Sequence, residues 1–219
     1  AAALGVYGNT TLNNTASAGS SSDGTSGTVP YPDIPIEKEA TYNSEDIDDN
    51  SHLTPGSTIH YTITYGGDSI SSDGVTILDQ MTDIQKLTGA VSITLPKLDN
   101  DVTWPDGTVW TASTTQKTYS MPIGTSAWAN DGVVWEYFSD GAYNSNEWVR
   151  VFNLKLPNGI GVGEITVEYD VEVISEEEVL ASGITGLQNA QNRVYINGKN
   201  AQTTVPVQFE EDVDHNPAL

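Results

Sequence analysis

The chain has no cysteine, which excludes disulfide scaffolds, thiolate zinc sites and cysteine nucleophiles together. Positive charge is scarce as well: 8 Lys and Arg stand against 30 Asp and Glu in 219 residues, a formal net charge of -22. Phosphate recognition needs clustered Lys and Arg, so a nucleic-acid-binding role is disfavoured. Long apolar runs are missing too. No stretch reaches the roughly 18 apolar residues of a membrane-spanning helix, and the opening Ala1-Ala2-Ala3 lacks the charged and apolar parts of a signal peptide. The chain therefore reads as a mature or excised fragment. Catalytic signatures are equally sparse. There is no Gly-rich phosphate loop, no Gly-x-Ser-x-Gly elbow and no His-Glu-x-x-His. Nothing singles out one carboxylate pair for glycoside hydrolysis. Of the three histidines, His60 falls on the polar side of a strand pattern, and His52 and His215 fall in loop or tail contexts. They read as solvated surface histidines, and the expectation is a protein that is not an enzyme.

What is present is 37% hydrophobic residues, enough for a core, with only 17% charged. Most polarity comes from Ser, Thr, Asn and Gly, a profile that suits a secreted surface protein better than a cytosolic enzyme. Residues 1 to 29 are dense in Ser, Thr, Asn and Gly and read as a linker or tail. Their small apolar cluster of Leu4, Val6 and Tyr7 offers Val6 and Tyr7 as residues that would pin the segment to a sheet edge. Pro30-Tyr31-Pro32-Asp33-Ile34-Pro35 then stiffens the entry to the folded part. The expected organisation is an N-terminal extension over 1–33, one domain over 34–209 and an acidic tail over 210–219.

From Ile34 onward the hydrophobic period is two. Ile59, Tyr61, Ile63 and Tyr65 alternate with Thr58, His60, Thr62 and Thr64 after the turn Thr54-Pro55-Gly56, which predicts a half-buried strand. Further strands are predicted at 74–79, 89–95, 107–112, 132–138, 147–156, 163–174, 190–197 and 202–209, separated by Asp-Gly, Asn-Gly or Pro turns. Many strands joined by turns predict an all-β sandwich, with an elaborated insertion around residues 99 to 148. The helical signal is a capping-box pattern, Ser175-Glu176-Glu177-Glu178 before Val179 and Leu180, closed by Gly183. It is long enough for about two turns, a crossover helix at most.

Three polar residues stand out on apolar faces. Alternation through Ile34-Pro35-Ile36-Glu37-Lys38-Glu39-Ala40 puts Lys38 beside Ile36 and Ala40; in Val75-Thr76-Ile77-Leu78-Asp79 it puts Asp79 beside Val75 and Ile77. In Asn192-Arg193-Val194-Tyr195-Ile196 it puts Asn192 at the head of an inward row. Burial lowers a lysine pKa and raises that of an aspartate. A neutral Lys38 amine could then attack the side-chain carbonyl of Asn192 while protonated Asp79 polarises it, releasing ammonia and leaving an amide cross-link. The alternatives stay open: Lys38 snorkels to solvent, Asp79 caps a turn, and Asn192 satisfies an edge backbone group.

The ordered set Pro55-Gly56-Ser57-Thr58-Ile59-His60-Tyr61-Thr62-Ile63-Thr64-Tyr65, Val75-Thr76-Ile77-Leu78-Asp79, Ile165-Thr166-Val167-Glu168-Tyr169-Asp170-Val171 and Asn192-Arg193-Val194-Tyr195-Ile196 resembles the isopeptide-forming Ig-like (Cna-type) domains of Gram-positive fimbrial proteins and adhesins. The resemblance implies an Ig-like sandwich and a cell-adhesion or pilus module at the bacterial surface or cell wall. Its implied partners are neighbouring pilin or adhesin domains and a host protein or glycan. It also implies Lys38 and an asparagine as the joined pair, with Asp79 catalytic. Gly66-Gly67-Asp68 replaces the family's Asn-rich turn, and two asparagines are on offer; Asn192 is preferred for its apolar alternation, with Asn189 as the alternative.

Trp104, Trp110, Trp128, Trp135 and Trp148 fall in one stretch. Strand-like alternation assigns Trp135, Tyr137 and Trp148 to core or loop packing. Trp104 and Trp128, beside Asp-Gly turns, are the candidates for ligand binding, and a carbohydrate-binding adhesin module is the rival function they would serve. The acidic run Glu45-Asp46-Ile47-Asp48-Asp49-Asn50 reads as a solvated turn, with a loop Ca²⁺ site on Asp46, Asp48 and Asp49 as the alternative. No cofactor is required.

Overall fold

The computed structural model describes residues 10–18, 21–29, 34–43, 45–47, 52–67, 75–96, 101–103, 109–110, 116–128, 133–141, 148–156 and 163–210, with only the backbone over the first two segments. In chain order the strands are β1 (Thr10–Ala18), β2 (Ser21–Val29), β3 (Ile36–Tyr42), β4 (Glu45–Asp46), β5 (Thr58–Gly67) and β6 (Val75–Thr82). There follow β7 (Gln85–Leu87), β8 (Val91–Leu95), β9 (Val102–Thr103), β10 (Val109–Trp110), β11 (Lys117–Met121) and β12 (Ala127–Trp128). The remainder are β13 (Val134–Tyr137), β14 (Trp148–Leu156), β15 (Gly163–Val173), helix α1 (Glu176–Ser182), β16 (Gly186–Ile196) and β17 (Lys199–Phe209).

The alternation that predicts strands also closes the sandwich. Ile59, Tyr61, Ile63 and Tyr65 of β5 point inward and are buried. So are Ile165, Val167, Tyr169, Val171 and Val173 of β15, its antiparallel neighbour. These strands centre a sheet of order β11-β8-β15-β5-β3-β4, with β7 also on β15. A second antiparallel sheet, β12-β13-β14-β6-β16-β17, turns Val75, Ile77, Phe152, Leu154, Val194, Ile196, Val205 and Val207 toward the first. A dozen or more aliphatic and aromatic side chains, each contributing about 1.5–3 kcal/mol on burial, hold the two faces together. The chain is an all-β sandwich, with one helix among the described residues.

Local chemistry sets the connections. Asn197 (φ 47) and Gly198 (φ 84) form the two-residue loop between Ile196 and Lys199, the double positive-φ turn that matches strand twist. Helix α1 crosses from one sheet to the other behind a complete capping box: the Glu178 amide donates to Ser175 Oγ, and the Ser175 amide donates to Glu178 Oε2. Gly183 (φ 71) ends it in the left-handed conformation, its amide donating to the Val179 carbonyl.

Three expectations are corrected or made specific. Residues 10–29 are not a featureless linker: β1 and β2 pair residue for residue, Thr10 with Val29 through Ala18 with Ser21, as a separate hairpin. Val6 and Tyr7 lie outside the described residues. The described part of the 99–148 insertion contributes strands to both sheets. Its strand β11 pairs with β8 at one edge of the first sheet, and β13 pairs with β14 in the second, because Met121, Val133 and Trp135 supply buried side chains there. Trp148 is not a core residue. A bulge between Arg150 and Phe152 breaks the register of β14 against β6, so Phe152 and Leu154 face inward while Trp148 carries the Arg193 guanidinium over its ring, 3.9 Å from the centroid.

Candidate functional site

Each strand delivers one side chain to the site by its period of two. On β3, Lys38 is buried between exposed Glu37 and Glu39 and lies opposite Ile63 of β5. On β6, Asp79 is flanked by Phe152 of β14 and Val194 of β16. Asn192 on β16 lies opposite Met81, one inward position along from Asp79. The first sheet thus supplies an amine, and the second supplies an acid and an amide. The side chains of Lys38 and Asp79 are both 0% exposed, and Asn192 is equally buried.

These three groups converge, with Tyr169 of β15 at their centre. Lys38 Nζ donates to Asp79 Oδ2 at 2.8 Å and to Tyr169 Oη at 2.7 Å. Tyr169 Oη donates to Asp79 Oδ2 at 2.8 Å, and Asn192 Nδ2 donates to Tyr169 Oη at 2.9 Å. Around them runs an aromatic wall. Trp135 stacks on Phe152 with centroids 4.9 Å apart, Phe152 meets Tyr169 edge-on at 5.4 Å, and Tyr169 lies 5.6 Å from Tyr61.

In so apolar a setting charge is disfavoured. Desolvation pulls the Lys38 pKa down, against the attraction of Asp79. Desolvation pushes the Asp79 pKa up, against contacts from Lys38, Tyr169 and Asn192. The hydrogen-bond count agrees with a neutral pair. A neutral amine has two N–H donors, matching the two acceptors it meets, and keeps a free lone pair. Asp79 Oδ1 and Asn192 Oδ1 are both buried without a partner; a proton on Asp79 Oδ1 would turn one of these orphaned acceptors into a donor. An ionised carboxylate would instead leave a charged oxygen buried and unsatisfied.

The signs of these shifts set a pH dependence for any reaction at the amine. The reactive form carries a single shared proton, on Asp79. Acid adds a second proton to Lys38 below its lowered pKa, and alkali removes the one on Asp79 above its raised pKa. The rate should therefore be bell-shaped with a plateau between the two macroscopic values. Chain refolded across a pH series, quenched and weighed intact, checks this; a rate still climbing in alkali would mean that Asp79 need not be protonated.

The other candidates lie elsewhere. Asn189 is exposed, on the outer face of β16 with Gln191 and Arg193. His60 is also on an outer face, its Nδ1 2.7 Å from Asp170 Oδ1, across the sheet from Lys38. Trp135 is a core residue, 1% exposed. Trp104, Asp48, Asp49 and His215 lie outside the described residues, as do the side chains of Trp128 and Asp46. Among the described residues no group of three or more His, Cys, Asp or Glu is placed to hold a metal ion, and no helix is long and apolar enough to cross a membrane. Tyr169 escaped the sequence reading, although its place in the inward row Ile165, Val167, Tyr169, Val171 was a signal. A tyrosine buried between sheets needs a partner for its hydroxyl.

No protein-family model matches the chain, and no curated protein matches it. Solved structures do. The collagen-binding subdomain of the Enterococcus faecalis surface protein ACE is 13% identical, with 82% of this chain and 99% of that one covered at a TM-score of 0.37. The pilus backbone RrgB of Streptococcus pneumoniae is 13% identical, over 74% of this chain and 52% of that one, with a TM-score of 0.40. The C-terminal domain of the Streptococcus agalactiae AgI/II polypeptide BspA is 11% identical, over 85% of this chain and 53% of that one, with a TM-score of 0.39.

Proposed function

We propose that this chain is a structural or adhesion module of a Gram-positive cell-surface protein, a pilin or adhesin stalk domain, stiffened by an intramolecular isopeptide bond between Lys38 and Asn192. The observation that carries the reading is the buried meeting of an amine, a carboxyl group and a carboxamide between two sheets, within hydrogen-bond reach of one hydroxyl. In the proposed reaction the Lys38 lone pair attacks Asn192 Cγ, protonated Asp79 stabilises the developing oxyanion, and the amide nitrogen departs as ammonia. The product is a covalent tie from β3 to β16, joining the two faces of the sandwich. In a chain without cysteine, such a tie takes the part that disulfides play in other extracellular domains. Neighbouring domains of the same surface protein are the expected partners, with a host protein or glycan beyond them.

Intact-mass measurement is the decisive test. The purified wild-type chain should be lighter than its sequence by one ammonia, and a peptide map should join Lys38 to Asn192. Asn192→Ala should restore the full sequence mass, whereas Asn189→Ala should not, because Asn189 faces solvent. A map joining Lys38 to Asn189 would move the acceptor, and a wild-type chain at full mass would end the cross-link reading.

A further inference from the structure

We propose that Tyr169 is a catalytic residue of this cross-linking reaction, a proton relay between the attacking nitrogen of Lys38 and the departing nitrogen of Asn192. The inference rests on the cross-link reading and adds to it a group that a lysine, an acid and an asparagine do not supply. It follows from where the hydroxyl sits. Tyr169 Oη hydrogen-bonds both nitrogens exchanged in the reaction, at 2.7 Å from Lys38 Nζ and 2.9 Å from Asn192 Nδ2. Its own proton lies toward Asp79 Oδ2 at 2.8 Å. Two accepted bonds and one donated bond use the full capacity of a phenolic oxygen.

The proton balance needs a group that takes a proton from one nitrogen and gives one to the other, and Tyr169 Oη is placed for both transfers. Attack forms the Nζ–Cγ bond and sends the carbonyl electron pair onto Oδ1. The new Nζ centre then holds one proton too many, and Nδ2 holds one too few to leave as ammonia. As Nδ2 becomes tetrahedral it regains a lone pair, so its hydrogen bond with Tyr169 can reverse direction. Tyr169 Oη takes the surplus proton from Nζ while its own proton passes to Nδ2. The Cγ–Nδ2 bond breaks with its electron pair on nitrogen, the Oδ1 electrons re-form the carbonyl, and ammonia departs. Tyr169 ends as it began, with one proton. Burial holds its pKa well above the usual phenol range, so a free phenolate is not formed and the two transfers are coupled. Asp79 stays protonated throughout and serves the carbonyl oxygen, so the acid and the phenol divide the work.

A control for the loss of any buried hydroxyl lies beside it. Tyr61 belongs to the same aromatic stack, and its hydroxyl donates to Gln85 Oε1 at 2.7 Å instead of entering the site. Full-length chains recovered unfolded from inclusion bodies are folded by dilution, followed by near-UV circular dichroism, quenched in acid denaturant and weighed at intervals. Tyr169→Phe keeps the ring; it should fold at the wild-type rate, accumulate as a folded but unjoined species, and lose ammonia about 100-fold more slowly, the lower end of the usual general acid–base contribution. Tyr61→Phe should join at the wild-type rate. Should Tyr169→Phe not fold, 4-fluorophenylalanine at position 169 fills the space of the hydroxyl and carries no transferable proton. A relay predicts the same loss of joining rate, about 100-fold, in that chain; joining at the wild-type rate overturns it. Tyr169→Phe joining within about threefold of wild type, or Tyr61→Phe slowed equally, overturns the relay and leaves the cross-link standing. A wild-type chain that never loses ammonia overturns both.

Discussion

Lys38→Ala is expected to weigh what its sequence predicts, where the wild type is lighter by one ammonia, and to melt well below it. The size of the effect follows from the loop that the bond closes. A tie from Lys38 to Asn192 encloses about 150 residues, and in the chain-entropy account a loop of that length restricts the unfolded state by roughly 5 kcal/mol. For a chain of this size each kcal/mol moves the midpoint by about 2–4 °C, so the loss should be roughly 10–20 °C. Truncating Lys38 also removes a buried stem, whose Nζ lies 5.2 Å from the Tyr61 ring centroid and 5.1 Å from that of Tyr169, and this adds a cavity cost. Asn192→Ala separates the two, since it loses the bond and keeps the stem; most of the fall in melting temperature should survive in it. Protease resistance should fall in parallel, because local opening no longer has to work against a covalent tie. Equal melting of wild type and Lys38→Ala would remove the bond as a source of stability.

Asp79→Ala should stop the chemistry with both joining residues still in place. The fold should survive, since Phe152 and Val194 still flank the position from both neighbouring strands. The bond should not form on any preparative timescale. Without the carboxyl group, nothing donates to the carbonyl oxygen as it gains charge, and a preorganised donor of that kind is commonly worth about 10²–10³ in rate. Intact mass should find Lys38 and Asn192 both present and unjoined. Full joining in this variant would assign the role to another acid. Glu168 and Asp170 are poor substitutes, because they lie on the outer face of the first sheet beside His60.

How much of this was legible beforehand depended on how far each feature reaches along the chain. Period-two alternation is local, and it placed Lys38, Asp79 and Asn192 on inward faces before any partner strand was known. It also separated Asn192 from Asn189, because β16 runs through 186–196 against β17 without a register break. The capping box at Ser175 and the left-handed Gly183 were readable for the same reason: their bonds close within a few residues. The β1–β2 hairpin was missed because its strands are built mostly from Ser, Thr, Asn and Gly, with no apolar alternation to mark them.

By itself, then, the sequence determined an all-β chain, the faces of its strands, the short helix α1 and three polar residues on apolar rows. Those are consequences of side-chain period and backbone preference, both set by near neighbours in the chain. Only the tertiary structure decided that an amine from one sheet meets a carboxyl and an amide from the other. It also set Tyr169 between them and let a bulge after Arg150 turn Trp148 away from the core. Those outcomes depend on which strands pair, in which register, and how two sheets pack. Such contacts join residues as far apart as Lys38 and Tyr169, whose separation of 131 no local pattern spans.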